Sequence, residues 1–427
     1  MGKGYQIAGV KDSEKLAAFL AKEGQELLPF VGLVEGAKLA IDELIDVMGR
    51  ATVEAVLVLS AQGVAGAKGQ GRRKAGEVYW HGHQRGVVSL SDRKLHVRKP
   101  RLRRKGSHQG GELEVPAYEA MQLDTRLGQR MLEILMTGVS TRKYERVVSK
   151  MAETVGVSKS SVSREFIEAS EAELKGLCER RFEDVDILIV YIDGQVFGPH
   201  SVITAVGVDV EGRKHVLGVA EGATENGVVA KGLLEDLVAR GVKPGRRRLF
   251  VIDGSKALRQ AICAVYGDTN PVQRCRNHKT TNVLGYLSDD RKDWMKAVMK
   301  AAYRLDADEG IAKLRKEAER LQDEHPSAAA SLLEGLEETF TVNRLGVSPS
   351  LRRCLVTTNL IENPHSGVRR ATRRVSPWND GKMVLRWAAS AFLDVEKRFR
   401  RIMGYEDLWT LKAILDEKAV DKKEEAA

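Results

Sequence analysis

Cysteine is scarce in this chain. Its four residues, Cys178, Cys263, Cys275 and Cys354, stand far apart in 427 positions with no CxxC pair. That excludes a disulfide scaffold and fits a reducing compartment. The opening segment MGKGYQIAGVKDSEK lacks the apolar run of a secretory signal. The longest apolar stretch, Val53 to Ala67, is interrupted by Glu54, Ser60 and Gln62 and is too short to span a bilayer. These absences lead us to expect a soluble cytoplasmic protein, with no membrane contact. What remains is ordinary for globular protein: 43% hydrophobic and 30% charged residues, in a length suited to about two to four domains.

Acidic residues are nearly missing from one window. Between Gly71 and Gly106 there are twelve Lys/Arg against Glu77 and Asp92, a difference that equals the +10 of the whole chain. The rest of the protein is therefore close to neutral, and the cationic surface is concentrated in this window. A solvated charged loop is the bland reading; a polyanion-binding segment is the sharper one. Within it GVVSLSDRKLHVRKPRLRR alternates apolar and basic residues, as in an exposed β-hairpin whose basic side could follow phosphates. Arg72, Arg73, Lys74, Arg98, Arg101, Arg103 and Arg104 are the candidate contacts.

Residues 11–65 show helical spacing of apolar residues, and the Gly-rich AQGVAGAKGQG that follows resembles a linker. Residues 138–171 have helix-turn-helix grammar. Ser140 can cap a helix over about 141–153, Gly156 supplies a turn, and Ser158 caps a second helix from Lys159. Lys159, Ser160, Ser161 and Arg164 on its first turns would suit a major groove, although such helix pairs also occur in proteins that never touch DNA. From Asp184 the pattern becomes β-β-β-α-β-α-β: VDILIVYIDGQVF, SVITAVGVDVEG and RKHVLGVAEG form a meander, and helices then alternate with the strands RRLFVIDGS and PVQRC. Residues 285–345 read as helices only, and the tail DEKAVDKKEEAA reads as frayed.

Asp193 follows the apolar run ILIVYI and Asp253 follows LFVI, each before a glycine and each where a central strand is expected to end. Burying an uncompensated carboxylate costs several kcal/mol, so each needs a partner. The first and fourth strands of such a sheet are neighbours, which would bring the two acids together around a divalent cation, Mg²⁺ or Mn²⁺. Alternatively, each aspartate merely begins an Asx turn. A third carboxylate is expected from a helix after the insertion. Glu362 is the candidate, followed by Arg369, Arg370, Arg373 and Arg374 at i,i+4 spacing on one helix face. Because proline breaks a helix, Pro364 places Glu362 just before the helix start, with Pro364 in the first turn.

From about Gly138 to Leu393 the chain resembles bacterial Mutator-family insertion-sequence transposases. The resemblance rests on GVSTRKYERVV with GVSKSSVSR, YIDG, VGVDVEGRKHVLGV, VIDG, VQRCRNHKTTNVL and TTNLIENPHSGVRRATRR, in that order. It implies an α/β fold: an RNase H-like mixed β-sheet core with an all-helical insertion, preceded by mainly helical DNA-binding domains. It also implies DDE transposition by Asp193, Asp253 and Glu362, whose separations of 60 and 109 residues leave room for a strand–helix unit and then the insertion. The family's CxxH element matches Cys275 and His278, so His278 would lie beside the active site, against the alternative of a core cysteine and a satisfied histidine. A zinc site from Cys275, His278, Cys354 and His365 has suitable ligand types but no recognised spacing. Trp294 is either a stacking platform for an unpaired base or a core residue.

The domain expectation is a helical segment at 1–70 that is a candidate oligomerisation interface, a basic hairpin region at 71–125 and a helix-turn-helix domain at 126–180. The core follows in two parts, 181–284 and 346–415, around the insertion at 285–345, with a disordered tail at 416–427. Two metal ions bridged by Asp193 would activate water or a 3′-hydroxyl and stabilise the leaving oxygen. The expected partners are double-stranded DNA, as terminal inverted repeats and target, and a second copy in a homodimer or larger assembly. A nuclease or resolvase that never joins ends, or a transposase-derived DNA-binding regulator, are the alternatives.

Overall fold

A computed structural model describes residue 50 and residues 53–66, 77–89, 94–105, 111–122, 126–137, 159–224 and 226–424. The chain divides into two units, residues 1–130 with 142–162 and residues 131–141 with 163–427.

In the first unit, helix α1 (53–65) is followed by strands β1 (Val78–Ser89), β2 (Lys94–Arg104) and β3 (Glu112–Leu113) and helix α2 (Pro116–Gln122). β1 and β2 form the expected antiparallel hairpin, longer than the alternation alone suggested, with a bulge between Trp80 and Gly82. Its apolar side is covered: Val88, Leu95, Val97 and Leu102 are buried with Leu57 and Ala61 of α1 and with Val115. Arg98 and Arg104 remain exposed. Arg101 instead pairs bidentately with Glu112, at 3.0 and 2.9 Å. Arg72, Arg73 and Lys74, and the rest of the helical stretch expected at 11–65, lie outside the described residues.

Helix α3 is Arg126–Met136 and helix α4 is Lys159–Glu179. α4 begins at the residue expected for the second helix of the helix-turn-helix; the first, at 141–153, falls outside the described residues.

The second unit is built on β4 (Ile187–Phe197), β5 (His200–Asp209), β6 (Lys214–Glu221), β7 (Leu249–Ile252) and β8 (Val272–Arg274). The sheet order is β6-β5-β4-β7-β8; β4, β5 and β6 are antiparallel, and β7 and β8 run parallel to β4. The first and fourth strands are thus neighbours, as expected. ILIVYI is buried without alternation because both faces of the sheet are covered. On one face lie α5 (Gly227–Ala239) and α6 (Lys256–Tyr266), which bury Leu234, Leu237, Leu258 and Ile262 against Val190, Ile192, Ile203 and Phe250. On the other, Leu351 and Leu355 of α12 (Pro349–Leu355), Ile361 of α13 (Asn359–Thr372) and Leu411 and Leu415 of α15 (Leu408–Glu424) pack on Tyr191, Val206 and Val251. α14 (Gly381–Glu396) is tied to the edge strand: the Glu396 carboxylate accepts from Val216 N at 2.6 Å and pairs with Arg180 at 2.9 Å.

Between β8 and α12 the chain is helical, with α7 (Arg276–Leu284), α8 (Asp289–Ala302), α9 (Ala307–Leu321), α10 (Pro326–Leu333) and the short α11 (Thr341–Arg344). Val283, Met295, Met299, Ile311, Leu314, Leu332 and Phe340 give this part its own core. The expected frayed tail from 416 onward differs from the structure, because α15 continues to Glu424. The segment has no glycine or proline to stop it, and Lys412 and Asp416 pair across one turn at 3.8 Å. Among the described residues no helix is long and apolar enough to cross a membrane.

Candidate active site

The parallel pairing of β4 with β7 ends at Ile192 opposite Ile252. Asp193 and Asp253 are the next residue of each strand, on neighbouring backbones about 5 Å apart. Their settings differ. β7 stops after four residues, whereas β4 runs on to Phe197 beside β5, with Asp193 paired to Thr204. Asp193 therefore sits within a strand rather than at its end, because β4 outlasts its parallel neighbour. It is 7% exposed, and no Asx turn forms there. Asp253 does make such a turn: its Oδ1 accepts from Ser255 N at 2.9 Å, while Thr224 Oγ1 donates to Oδ2 at 3.5 Å. Ser255 then caps α6, accepting from Leu258 N. Gly254 between them has φ +110°, and a Cβ there would meet the Arg274 guanidinium at 2.1 Å, so this turn requires glycine.

Glu362 lies in the first turn of α13, but the helix starts earlier than proline rules suggested. Asn359 is its first residue and Pro364 lies inside it. Ile361 N and Glu362 N both donate to Thr358 O at 2.9 Å, so the first turn closes before the proline is reached. Pro364 then forfeits only its own bond toward Leu360. This start places His365, three residues after Glu362 and 1% exposed, with its Nδ1 3.4 Å from Asp193 Oδ2. Its Nε2 is buried without a hydrogen-bond partner, as are Thr204 Oγ1 and both polar atoms of Gln195, two residues beyond Asp193 on the same strand face.

The CxxH element enters from β8. Cys275 N donates to Ile252 O at 2.7 Å, which fixes the start of α7 to the end of β7. Ligand atoms of Cys275, His278 and Glu362 all lie within 4.8 Å of one another. Thr358 joins them: its N donates to Cys275 Sγ at 3.3 Å, and its hydroxyl lies 2.8 Å from Glu362 Oε1, 3.2 Å from Sγ and 3.4 Å from His278 Nδ1. A hydroxyl has one proton, and the shortest contact, to the carboxylate, claims it. The oxygen can then accept from His278 Nδ1–H. The hydrogen bond to Cys275 pushes His278 up to about 9; burial opposes this, and the charges of Cys275, Asp193 and Glu362 reinforce it. Burial alone would raise the Cys275 thiol, but hydrogen bonds with His278 and Thr358 outweigh it and hold the thiol below its ordinary value. At neutral pH His278 is therefore an imidazolium, a cation beside the carboxylates rather than a neutral metal ligand.

The four-ligand zinc set does not assemble. Cys354 lies on α12 by the Tyr191 hydroxyl and is pushed up to about 11 by burial, while His365 faces Asp193. Trp294 is 39% exposed on α8, which excludes the core alternative for it. Arg369 and Arg370 are exposed on the last turn of α13; Arg373 caps that helix and Arg374 lies beyond it, so the expected four-arginine helical face is shorter. The approaching Pro377 disfavours helix in the residue before it. Arg164 is exposed on α4, where Lys159, Ser160 and Ser161 form the first turn. Thr358 and His365 were not singled out as partners of the acids. Their sequence signal was their position, four residues before and three after Glu362, which is one turn either way along a helix.

A sequence model of the family described as "Transposase, Mutator family" matches residues 25–401. Among similar proteins, the transposase for insertion sequence element IS1081 of Mycobacterium tuberculosis is 28% identical over 298 residues, covering 66% of this chain and 69% of that protein. The transposase for element ISRM5 of Rhizobium meliloti is 26% identical over 343 residues, 77% of this chain and 83% of that protein. The transposase for element IS256 in transposon Tn4001 of Staphylococcus aureus is 27% identical over 291 residues, 65% and 70% of the two chains. A match this extensive, over a core with this site, leads to one conclusion: the chain belongs to the Mutator family of transposases.

Proposed function

We propose that this protein is a DDE transposase with an RNase H-like core, which binds the ends of an insertion sequence, cleaves there, and joins the freed 3′-OH ends to target DNA. One observation carries the reading. Asp193 and Asp253 directly follow the last register pair of two adjacent parallel strands, and α13 brings Glu362 and His365 to the same end of the sheet. Three antiparallel strands continued by two parallel ones support the RNase H-like reading.

The donor set fits a divalent cation. Asp193 is a nearly buried carboxyl group beside a histidine ring and unpartnered polar atoms of Gln195, an environment with room for a cation's charge. Hard carboxylate oxygens suit Mg²⁺ or Mn²⁺. Asp193, Asp253 and Glu362 would hold two such ions, which when bound supply activation of the attacking oxygen and stabilisation of the leaving one. The protein's own groups do the positioning. Thr358 orients the Glu362 carboxylate, His365 braces Asp193, and the imidazolium of His278 offers positive charge to a phosphate. Arg369 and Arg373 hold the backbone. The hairpin arginines Arg98, Arg103 and Arg104 and the α4 terminus (Lys159, Ser160, Ser161 and Arg164) bind the element's duplex ends. Two ends must meet in one complex, so the working form is a homodimer or larger, acting on cytoplasmic DNA.

Asp193→Asn tests this reading. It should abolish Mg²⁺-dependent cleavage of element-end DNA while leaving DNA binding unchanged. Equal loss of both would make Asp193 a structural residue and overturn the reading.

A further inference from the structure

A second cationic feature lies in the helical part of the chain, on residues not assigned above to DNA. An open groove of about 880 Å³ runs between α7, α8 and α12. Each wall is one helix face. Asn277, Thr280, Thr281 and Leu284 line it from α7 with helical spacing, and Lys296, Lys300 and Arg304 follow at successive i,i+4 steps along and just beyond α8. Arg352 and Arg353 of α12 complete it, and no acidic residue lines it.

The cations in this groove are of two kinds. Arg276 at its base is structural: it donates to Thr339 O, Tyr303 O and Asn343 Oδ1 and stacks 4.4 Å from the Tyr303 ring. Lys296, Lys300, Arg304, Arg352 and Arg353 have no carboxylate partner among the described residues, although elsewhere on α8 Arg291 and Lys292 are ion-paired. Five like charges facing one groove repel one another, and a polyanion relieves that repulsion. Along α8 the cations step by about 6 Å, comparable to the separation of successive phosphates on a nucleic-acid strand.

The inner end of the groove adjoins the candidate active site. Asn277 Nδ2 on its rim donates to Asn359 Oδ1 at 3.0 Å, Arg276 N donates to Val356 O at 3.1 Å, and Thr357 on the lining precedes Thr358. The rim is thus contiguous in sequence with Cys275, His278 and Thr358. We propose that this groove is a DNA-backbone track that holds the strand flanking the scissile phosphate. The proposal rests on the DNA-cleaving reading above and extends it to a surface outside the hairpin, α4 and α13.

Binding measured without metal separates the two. The full-length protein and its Lys296→Gln/Lys300→Gln/Arg304→Gln variant are titrated with a short fluorescent DNA duplex in chelator over a range of salt. All three substitutions are on exposed positions, and thermal unfolding checks that the fold is retained. The plot of log affinity against log salt should flatten by about 3, and affinity at about 0.1 M salt should fall roughly tenfold or more. A Lys296→Arg/Lys300→Arg variant should keep the native slope. An unchanged slope in the neutralised variant overturns the track, as does an altered oligomeric state with unchanged DNA binding, which would mark a protein interface. If the slope flattens but Asp193→Asn still cleaves, the track stands and the catalytic assignment falls.

Discussion

His365 Nδ1 lies 3.4 Å from Asp193 Oδ2, with both residues buried, and His365 follows Glu362 by one turn of α13. One helix thus carries a carboxylate toward the site and, three residues later, the ring that braces another. The ring is itself held edge-on against Phe392, centroids 5.6 Å apart.

His365→Leu approximates the ring's volume and removes its contact with Asp193. The fold should survive, with a melting temperature near that of the native protein, while metal-dependent cleavage drops at least tenfold and needs more Mg²⁺. Native activity at native Mg²⁺ would show that Asp193 needs no brace.

Thr358 is buried where Cys275, His278 and Glu362 converge. Thr358→Val keeps the shape but leaves Glu362 without its short hydrogen bond. Because a bond to a charged group is lost inside the protein, unfolding in urea should show a loss of about 1–3 kcal/mol. An unchanged midpoint and slope would contradict the assigned proton.

The Cys275–His278 pair gives the metal-free protein a pH signature. His278 has its pKa raised from an ordinary 6.5 to about 9, so its contribution is complete below the lower value and is lost as pH rises through the upper. The depressed Cys275 thiol carries the opposite sign, its contribution being present above the ordinary thiol value and lost as pH falls, so the two offset one another in a stability curve. Site titration separates them. In chelator, the His278 ring followed by NMR should titrate near 9 in the native protein and return toward its ordinary 6.5 in Cys275→Ser. Titration near 6.5 in both proteins would refute the pair.

Much of this site is legible in the sequence. Apolar runs closing on Asp193 and Asp253 fixed the two central strands, and the β-β-β-α-β-α-β order made those strands neighbours. What could not be read were features set by length and by tertiary partners. Nothing local says that β7 stops after four residues while β4 continues, so Asp193 was expected at a strand end. Nor does Pro364 reveal that Thr358, anchored by the distant Cys275, has already closed the first turn of α13. The α8 cation stripe was hidden for another reason: in a helix with mixed charges, only the neighbouring helices reveal which cations lack partners.

The most direct test of the central claim is a ligand exchange at the two aspartates. Asp193→Cys and Asp253→Cys should each be inactive in cleavage with Mg²⁺, which binds thiolate poorly, and should recover part of that activity with the softer Mn²⁺. Rescue by Mn²⁺ is the result this account predicts. Undiminished cleavage in Mg²⁺, or the same lack of activity in both metals by two folded variants that still bind DNA, would contradict it.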